Sequence, residues 1–399
     1  MTHRTEDQRS TGRSSAARCF VALVSALLLA SPATSQEPLS VTGEFVLPST
    51  GWGVANAIIE LQDGGFAALG YIDRGDSSGT DALLVRFDAA GDTLWTRTYG
   101  GDREEFGWDV VEAANGGFFI VGYVEAPSEG REDVLVLRVA EDGEPVWQRT
   151  FGESGRDRAW SATASGSGGI AIAAESENVE LGERDAYVLL LSGDGELVWD
   201  ARVDTPGDQR VYSITRSADG AFVVTGTSGA DPNATRDAYV VKVGPDGEVE
   251  WERSFGDPSP DDVGHGVVAL EGGDVLVSGY GATRSGGGTD IYLIRLAPNG
   301  DLRWWQHDGT PANDRVMMSA PTDDGYVSIG FSWTSADTDI AVWESDADGD
   351  VRVHTEFPRP GSDRGVMLLV AGSGQYVVAG TVGRTRSRPG DFAVLTLER

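Results

Sequence analysis

Short apolar runs of five to seven residues recur from Val41 to the end of the chain, each bounded by clusters of Gly, Asp or Ser. Residues 133–152, DVLVLRVAEDGEPVWQRTFG, show the unit. An aspartate opens an apolar run, a Gly-containing turn interrupts it, a second run carries Trp147, and a glycine ends it. Runs of this length, alternating or continuously apolar and punctuated by turn residues, predict β-strands rather than helices. In the second copy they predict four strands, over residues 108–113, 118–123, 134–139 and 145–150. The dipeptides Asn115-Gly116 and Asp142-Gly143 suit tight antiparallel hairpins, because glycine takes positive φ without a Cβ penalty.

Three signals recur together. An aspartate opens an apolar strand at Asp81, Asp133, Asp185, Asp237, Asp290, Asp339 and Asp391, in steps of 49 to 53 residues. A strand following a Gly-rich turn closes on Gly70, Gly122, Ala174, Gly226, Gly279, Gly330 and Gly380. A tryptophan stands four residues after a turn glycine at Trp95, Trp147, Trp199, Trp251 and Trp304, with Val353 in the sixth copy. Repetition at this period marks one quasi-symmetric body. Four short antiparallel strands per period make a propeller blade, and seven copies make a seven-bladed, all-β propeller. The last copy ends after its third strand, over 392–397, while an orphan strand over 41–47 is in register with the fourth strand of the other copies. The N-terminal strand is therefore predicted to complete the last blade and remove an exposed edge.

The repeat resembles the tryptophan-docking blade of quinoprotein-like (PQQ-type) propellers, through the D-x-x-G-x-x-x-W run of Asp88, Gly91 and Trp95. Residues 290–304, from DIYLIRL through Trp304, resemble the blades of secreted bacterial β-propeller repeat proteins still more closely. The resemblance covers residues 41–399 and implies the fold. It implies no catalytic motif, and a chain without cysteine after residue 19 departs from quinone-binding members that use a vicinal cysteine pair. The repeat also differs by one residue from the Asp-box spacing of sialidase-like propellers.

Residues 1–35 read as an export signal preceding a single domain over 36–399. Arg4, Arg9, Arg13 and Arg18 form a basic start, residues 20–30 an apolar core too short to span a bilayer, and Ala33 and Ser35 take the −3 and −1 positions of a cut before Gln36. Cys19 is the sole cysteine and would leave with that segment, which excludes disulfides and thiol chemistry from the remainder. The expected location is periplasmic or extracellular. The formal charge of −32, with Lys242 the only lysine, excludes nucleic acid and anionic lipid as partners and matches surfaces that work in high salt. No other apolar stretch is long enough for a membrane span, and a monomer is expected.

A residue present in every blade serves every blade, so the repeated Asp and Trp are read as turn caps and inter-blade packing. Function is sought where the copies differ, on the face carrying the longer connections. Arg158, Arg210, Arg315 and Arg364 occupy one place in four blades, where the innermost strand begins. Two residues on come Trp108, Trp160, Tyr212, His265 and Met317. Equivalent positions in a propeller form a ring around the axis, and a funnel of arginine and aromatic residues suits a carboxylate, an acidic sugar or an acidic peptide end. The competing reading pairs each Arg with Asp157, Asp314 or Asp363. Asp346, Asp348 and Asp350 form a weak Ca²⁺ candidate, in a segment that reads better as an acidic hairpin; no other cofactor is expected. His265, His307 and His354 lack metal-site spacing. The expectation is an exported non-catalytic module binding a protein or glycan, anionic in character; the alternative is an enzyme acting on an acidic extracellular polysaccharide.

Overall fold

The computed structural model describes residues 38–49, 51–75, 79–125, 131–203, 205–256, 261–282, 288–333, 337–385 and 390–399. The predicted export signal lies outside the described residues. No helix among those residues is long and apolar enough to cross a membrane.

Seven sheets of four antiparallel strands form the predicted seven-bladed propeller. In the second blade the strands are Glu105–Glu112, Phe118–Glu125, Glu132–Val139 and Pro145–Phe151. The first begins three residues before its expected start, because Glu105, Phe106 and Gly107 already pair with the neighbouring strand. The two hairpin turns are as expected, with Gly116 at φ 84° and Gly143 at φ 83°. First strands touch one another around the whole ring, which places them nearest the axis. Middle strands such as Thr80–Phe87 are buried throughout, while fourth strands such as Thr93–Tyr99 face outwards. The core thus lies between blades, built from the faces of the middle strands.

The tryptophans do the inter-blade packing assigned to them. Each rests on the turn glycine of the following blade: Trp95 on Gly143, Trp147 on Gly195, Trp199 on Gly247, Trp251 on Gly300 and Trp304 on Gly349. A Cβ on any of these glycines would press into the indole. Trp199 and Trp251 also donate Nε1–H to the carbonyls of Pro245 and Pro298, at 2.9 and 3.0 Å. Two of the repeated aspartates cap the connections that follow: Asp391 accepts from the Ser49 amide at 3.0 Å and Asp339 from the Arg359 amide at 3.3 Å.

The ring closes where the two ends of the propeller meet. Strand Ser40–Leu47 pairs antiparallel with Asp391–Glu398 and completes the seventh blade. That blade has no turn between its third and fourth strands, so Val353 of the sixth blade has no glycine on which a tryptophan would rest. At the other side Gly43 takes the tryptophan position, opposite Thr396, and no described residue packs over Gly91 of the first blade. Other contacts serve these two interfaces. Arg359 pairs with Glu44 at 2.5 Å, Phe45 meets Phe87 edge to face at 5.1 Å, and the Gly53 amide donates to the Gly390 carbonyl at 3.0 Å.

Candidate functional site in the central cavity

The innermost strands carry a feature that the apolar pattern did not reveal. Each slips register by one residue against the second strand of its blade, at Asn56, Trp108, Trp160, Tyr212, His265, Met317 and Val366. A β-bulge leaves its extra residue out of the ladder and re-aims the side chain. All seven of these side chains line one central cavity of about 350 Å³. The periodic glycine of the second strand belongs to the same device. A Cβ at Gly70, Gly122, Gly226, Gly279, Gly330 or Gly380 would strike the carbonyl oxygen just before the bulge, on Val54, Phe106, Arg210, Val263, Arg315 or Arg364 respectively. The glycine that seemed to end a strand therefore makes room for the bulge.

The aromatic members form a continuous wall. Trp108 meets Trp160 edge to face at 4.5 Å, Trp160 meets Tyr212 at 6.4 Å, and Tyr212 stacks on His265 at 5.1 Å and 3°. His265 is half-buried, and Nδ1–H donates to the Met317 carbonyl at 3.0 Å. Burial first, and the charge of Arg315 beside it, push its pKa down to about 4, so it is neutral near pH 7. Tyr71 and Tyr280 extend the wall from the residue that follows the closing glycine, a position that sequence reasoning passed over. Its signal was available: Tyr71, Tyr123, Tyr280 and Phe331 follow their glycines directly.

The four predicted arginines do not form one ring of equivalents. Arg158 and Arg210 are spent on carboxylates and are absent from the cavity lining. Arg158 donates to Glu132 at 2.7 Å while lying over the Tyr123 ring at 5.1 Å. Arg210 meets Asp208 at 3.4 Å, and Asp208, fully buried, also holds Arg236 at 2.7 Å. Arg315 and Arg364 do line the cavity, joined by Arg384, which the sequence reading missed. The neighbour-pairing expectation is corrected at three of the four arginines. Arg158 takes Glu132 rather than Asp157, Asp314 is engaged by Thr310 and Ser332, and Asp363 lies against Arg359 at 3.6 Å.

Arg315, Arg364 and Arg384 are held by their faces instead. Arg315 lies between Tyr280 and Trp333, with its guanidinium carbon 4.4 and 4.7 Å from the ring centroids. Arg364 covers Phe331 at 5.0 Å, and Arg384 covers Trp52 at 4.5 Å. A ring takes the flat face of a guanidinium and leaves the N–H donors around its edge free. Among the described residues no carboxylate pairs with any of the three. Burial first, then the charges of Arg384 and Arg315, lower the pKa of Arg364, so the three cations act on one another without compensation.

One carboxylate reaches the cavity, from the opposite side of the ring. Asp109 is fully enclosed and accepts from Ser161 Oγ, the Ala162 amide and the Val110 amide at 2.9, 2.9 and 2.8 Å. Burial outweighs these bonds and pushes its pKa up to about 6. Asp346, by contrast, lies at a hairpin remote from the cavity lining. It accepts from the Asp348 and Asp350 amides at 3.0 and 3.1 Å and pairs with Arg352. Among the described residues no group of three or more His, Cys, Asp or Glu is placed to hold a metal ion.

No family model and no curated protein matches the chain. Solved structures match its fold. A protein of unknown function from Dyadobacter fermentans is similar over 90% of this chain and 99% of its own, with a TM-score of 0.50 and 11% identity. The Pan2 WD40 domain of Neurospora crassa is similar over 90% and 94%, with a TM-score of 0.55 and 12% identity. Puromycin hydrolase is similar over 88% of this chain but 55% of its own length, with a TM-score of 0.57 and 16% identity. At such identities the likeness is one of fold alone.

Proposed function

We propose that the chain is an exported, non-catalytic binding module that takes a small anionic ligand into its central cavity. The observation that carries this reading is the set of face-held arginines. Three cations line a cavity with no carboxylate among the described residues on their donors, inside a protein whose formal charge is −32. Acidic side chains were abundant enough to neutralise them, as they do Arg158 and Arg210, and they do not. Uncompensated, partly desolvated cations oppose folding, and an arriving anion would recover that cost. The export half of the proposal draws on the basic and apolar segment over 1–35 and on the likeness of the repeat to secreted tryptophan-docking propellers. The propeller is a common scaffold for binding.

The test is thermal melting of the purified protein with benzoate, glucuronate, sulfate and phosphate salts at constant ionic strength. At least one anion should raise the melting temperature of the wild type by several degrees and leave an R315Q/R364Q variant unmoved. Equal shifts in both would place any binding elsewhere.

An enzymatic reading draws on Asp109, whose raised pKa is of the kind a general acid at near-neutral pH needs. Glycoside hydrolysis ordinarily requires a second carboxylate about 5–9.5 Å away. Among the described residues the cavity lining holds none, and binding is the reading we adopt.

A further inference from the structure

We infer that the ligand is a single ring bearing a tetrahedral oxyanion, a sulfate or phosphate ester, with the oxyanion among Arg315, Arg364 and Arg384 and the ring on the aromatic wall. The inference rests on the cavity being the binding site and adds the chemical class.

The number and origin of the arginines select the anion. A carboxylate presents two oxygens in one plane, and two guanidinium edges use them up. An ester sulfate or phosphate presents three free oxygens in three directions. Here the cations come from three separate strands: Arg315 from Asn313–Thr322, Arg364 from Ser362–Val370 and Arg384 from the end of Tyr376–Arg384. Each is fixed by its own ring, so the donors are in place before the ligand arrives and little side-chain freedom is lost on binding.

The size of the space and its opposite wall select the rest. A cavity of about 350 Å³ stands at the small end of ligand sites and accommodates one ring with its substituent rather than a polymer. Trp108, Trp160 and Tyr212 offer apolar and π surface on which an aromatic or sugar ring stacks. Asp109 sits on that wall, and above pH about 6 it is ionised. The anionic group is thus repelled from the aromatic side and drawn to the arginines, which fixes the direction in which the ligand lies.

The experiment is calorimetric titration of the purified protein with phenyl phosphate, phenyl sulfate, glucose 6-phosphate, benzoate, glucuronate, inorganic phosphate and phenol. An ester on a ring should bind at least about tenfold more tightly than the matching carboxylate, inorganic phosphate or phenol. Phenyl against glucosyl ester identifies the ring, and sulfate against phosphate identifies the source of the oxyanion. R384Q, at a strand end, should weaken the best ester at least about tenfold and leave the melting temperature of the unliganded protein unchanged. Carboxylates binding as tightly as esters would overturn the oxyanion assignment while leaving the anion site standing. No binding by any anion would overturn both, and phenol binding as well as phenyl phosphate would remove the arginines from recognition.

Discussion

Blades three and four and blades six and seven carry arginine at the same structural position and use it in opposite ways. On the first side the guanidinium edge is consumed: Arg158 by Glu132 and Arg210 by Asp208. On the second, aromatic rings hold the guanidinium faces of Arg315 and Arg364, and the edges are left unused. The backbone is the same in both places, so the difference lies in the neighbouring side chains: carboxylates reach the edges of Arg158 and Arg210, while Arg315 and Arg364 meet the aromatic residue after the closing glycine of the preceding blade. That residue is Tyr280 before Arg315 and Phe331 before Arg364. Tyr123 before Arg158 is aromatic too, but Glu132 reaches the edge that the ring leaves open. Equivalent position in a repeat therefore does not mean equivalent chemistry. The partner decides whether a cation supports the fold or waits for a ligand.

Breaking the comparison at its functional side should have the largest effect. An R315Q/R384Q double variant should lose phenyl phosphate affinity by about 100-fold, given two charge-assisted contacts at 1.5 kcal/mol or so each, whereas R158Q/R210Q should stay within about twofold of wild type. Titration calorimetry reads both, and equal losses would erase the distinction.

Stability should move with the opposite sign. D208N removes a fully buried carboxylate that holds Arg236 and Arg210, and is expected to cost about 3 kcal/mol in urea denaturation. R364Q relieves repulsion from Arg315 and Arg384, so the unliganded protein should be unchanged or more stable. A large loss in R364Q would show that the face-held cations are structural after all.

The cavity's two titrating groups set up a third test. Asp109 titrates at about 6 in the fold against an ordinary 3.8, so its contribution to stability is whole below pH about 4 and lost as pH rises through 6. His265 titrates at about 4 against 6.5, so its contribution is whole above pH 6.5 and lost as pH falls through 4. Each contribution is on the order of 3 kcal/mol and they oppose one another over the same window. D109N should consequently be stabilised by raising the pH from 4 to 6.5 more steeply than wild type. H265Q should shift the slope the other way, with Asp363, also raised to about 6 by burial, acting in the same sense as Asp109. Parallel pH profiles for all three proteins would mean that neither group is perturbed as the geometry implies.

The smallest effect sharpens the comparison at a single proton. Arg315 is one cause of the low pKa of His265, so R315Q should raise it by a fraction of a unit, while R158Q should leave it in place. Nuclear magnetic resonance titration of the imidazole distinguishes the two.

The blades were legible in the sequence because period, turn glycine and docked tryptophan are local and repeated. The missing tryptophan of the sixth copy was visible as Val353, yet its cause was not, since that depends on which blade lacks a turn. The bulged ring was half legible: Trp108, Trp160, Tyr212, His265 and Met317 were picked out by equivalence, while Asn56 and Val366 passed unnoticed as ordinary strand residues. Arg384 was hidden for another reason. Its counterpart four residues after a closing glycine is Arg74 of the first blade, which pairs with Asp81 instead of lining the cavity, while Arg384 lies over Trp52, from across the ring closure. Pairing partners such as Glu132 for Arg158 come from an adjacent blade and cannot be read from sequence spacing alone.

Closure by strand Ser40–Leu47 on strand Asp391–Glu398 has a consequence for the life of the chain before it is finished. The earliest-made part of the propeller must wait for the last-made part, so a nascent molecule is an open fan whose terminal edge is bare to any other strand. Arg364 and Arg384 stand in the blade that closure completes, and Trp52 lies across the join. The proposed anion site would thus be completed in the same event that seals the ring, and a truncated chain would be left at once adhesive at its edge and without that site at its centre.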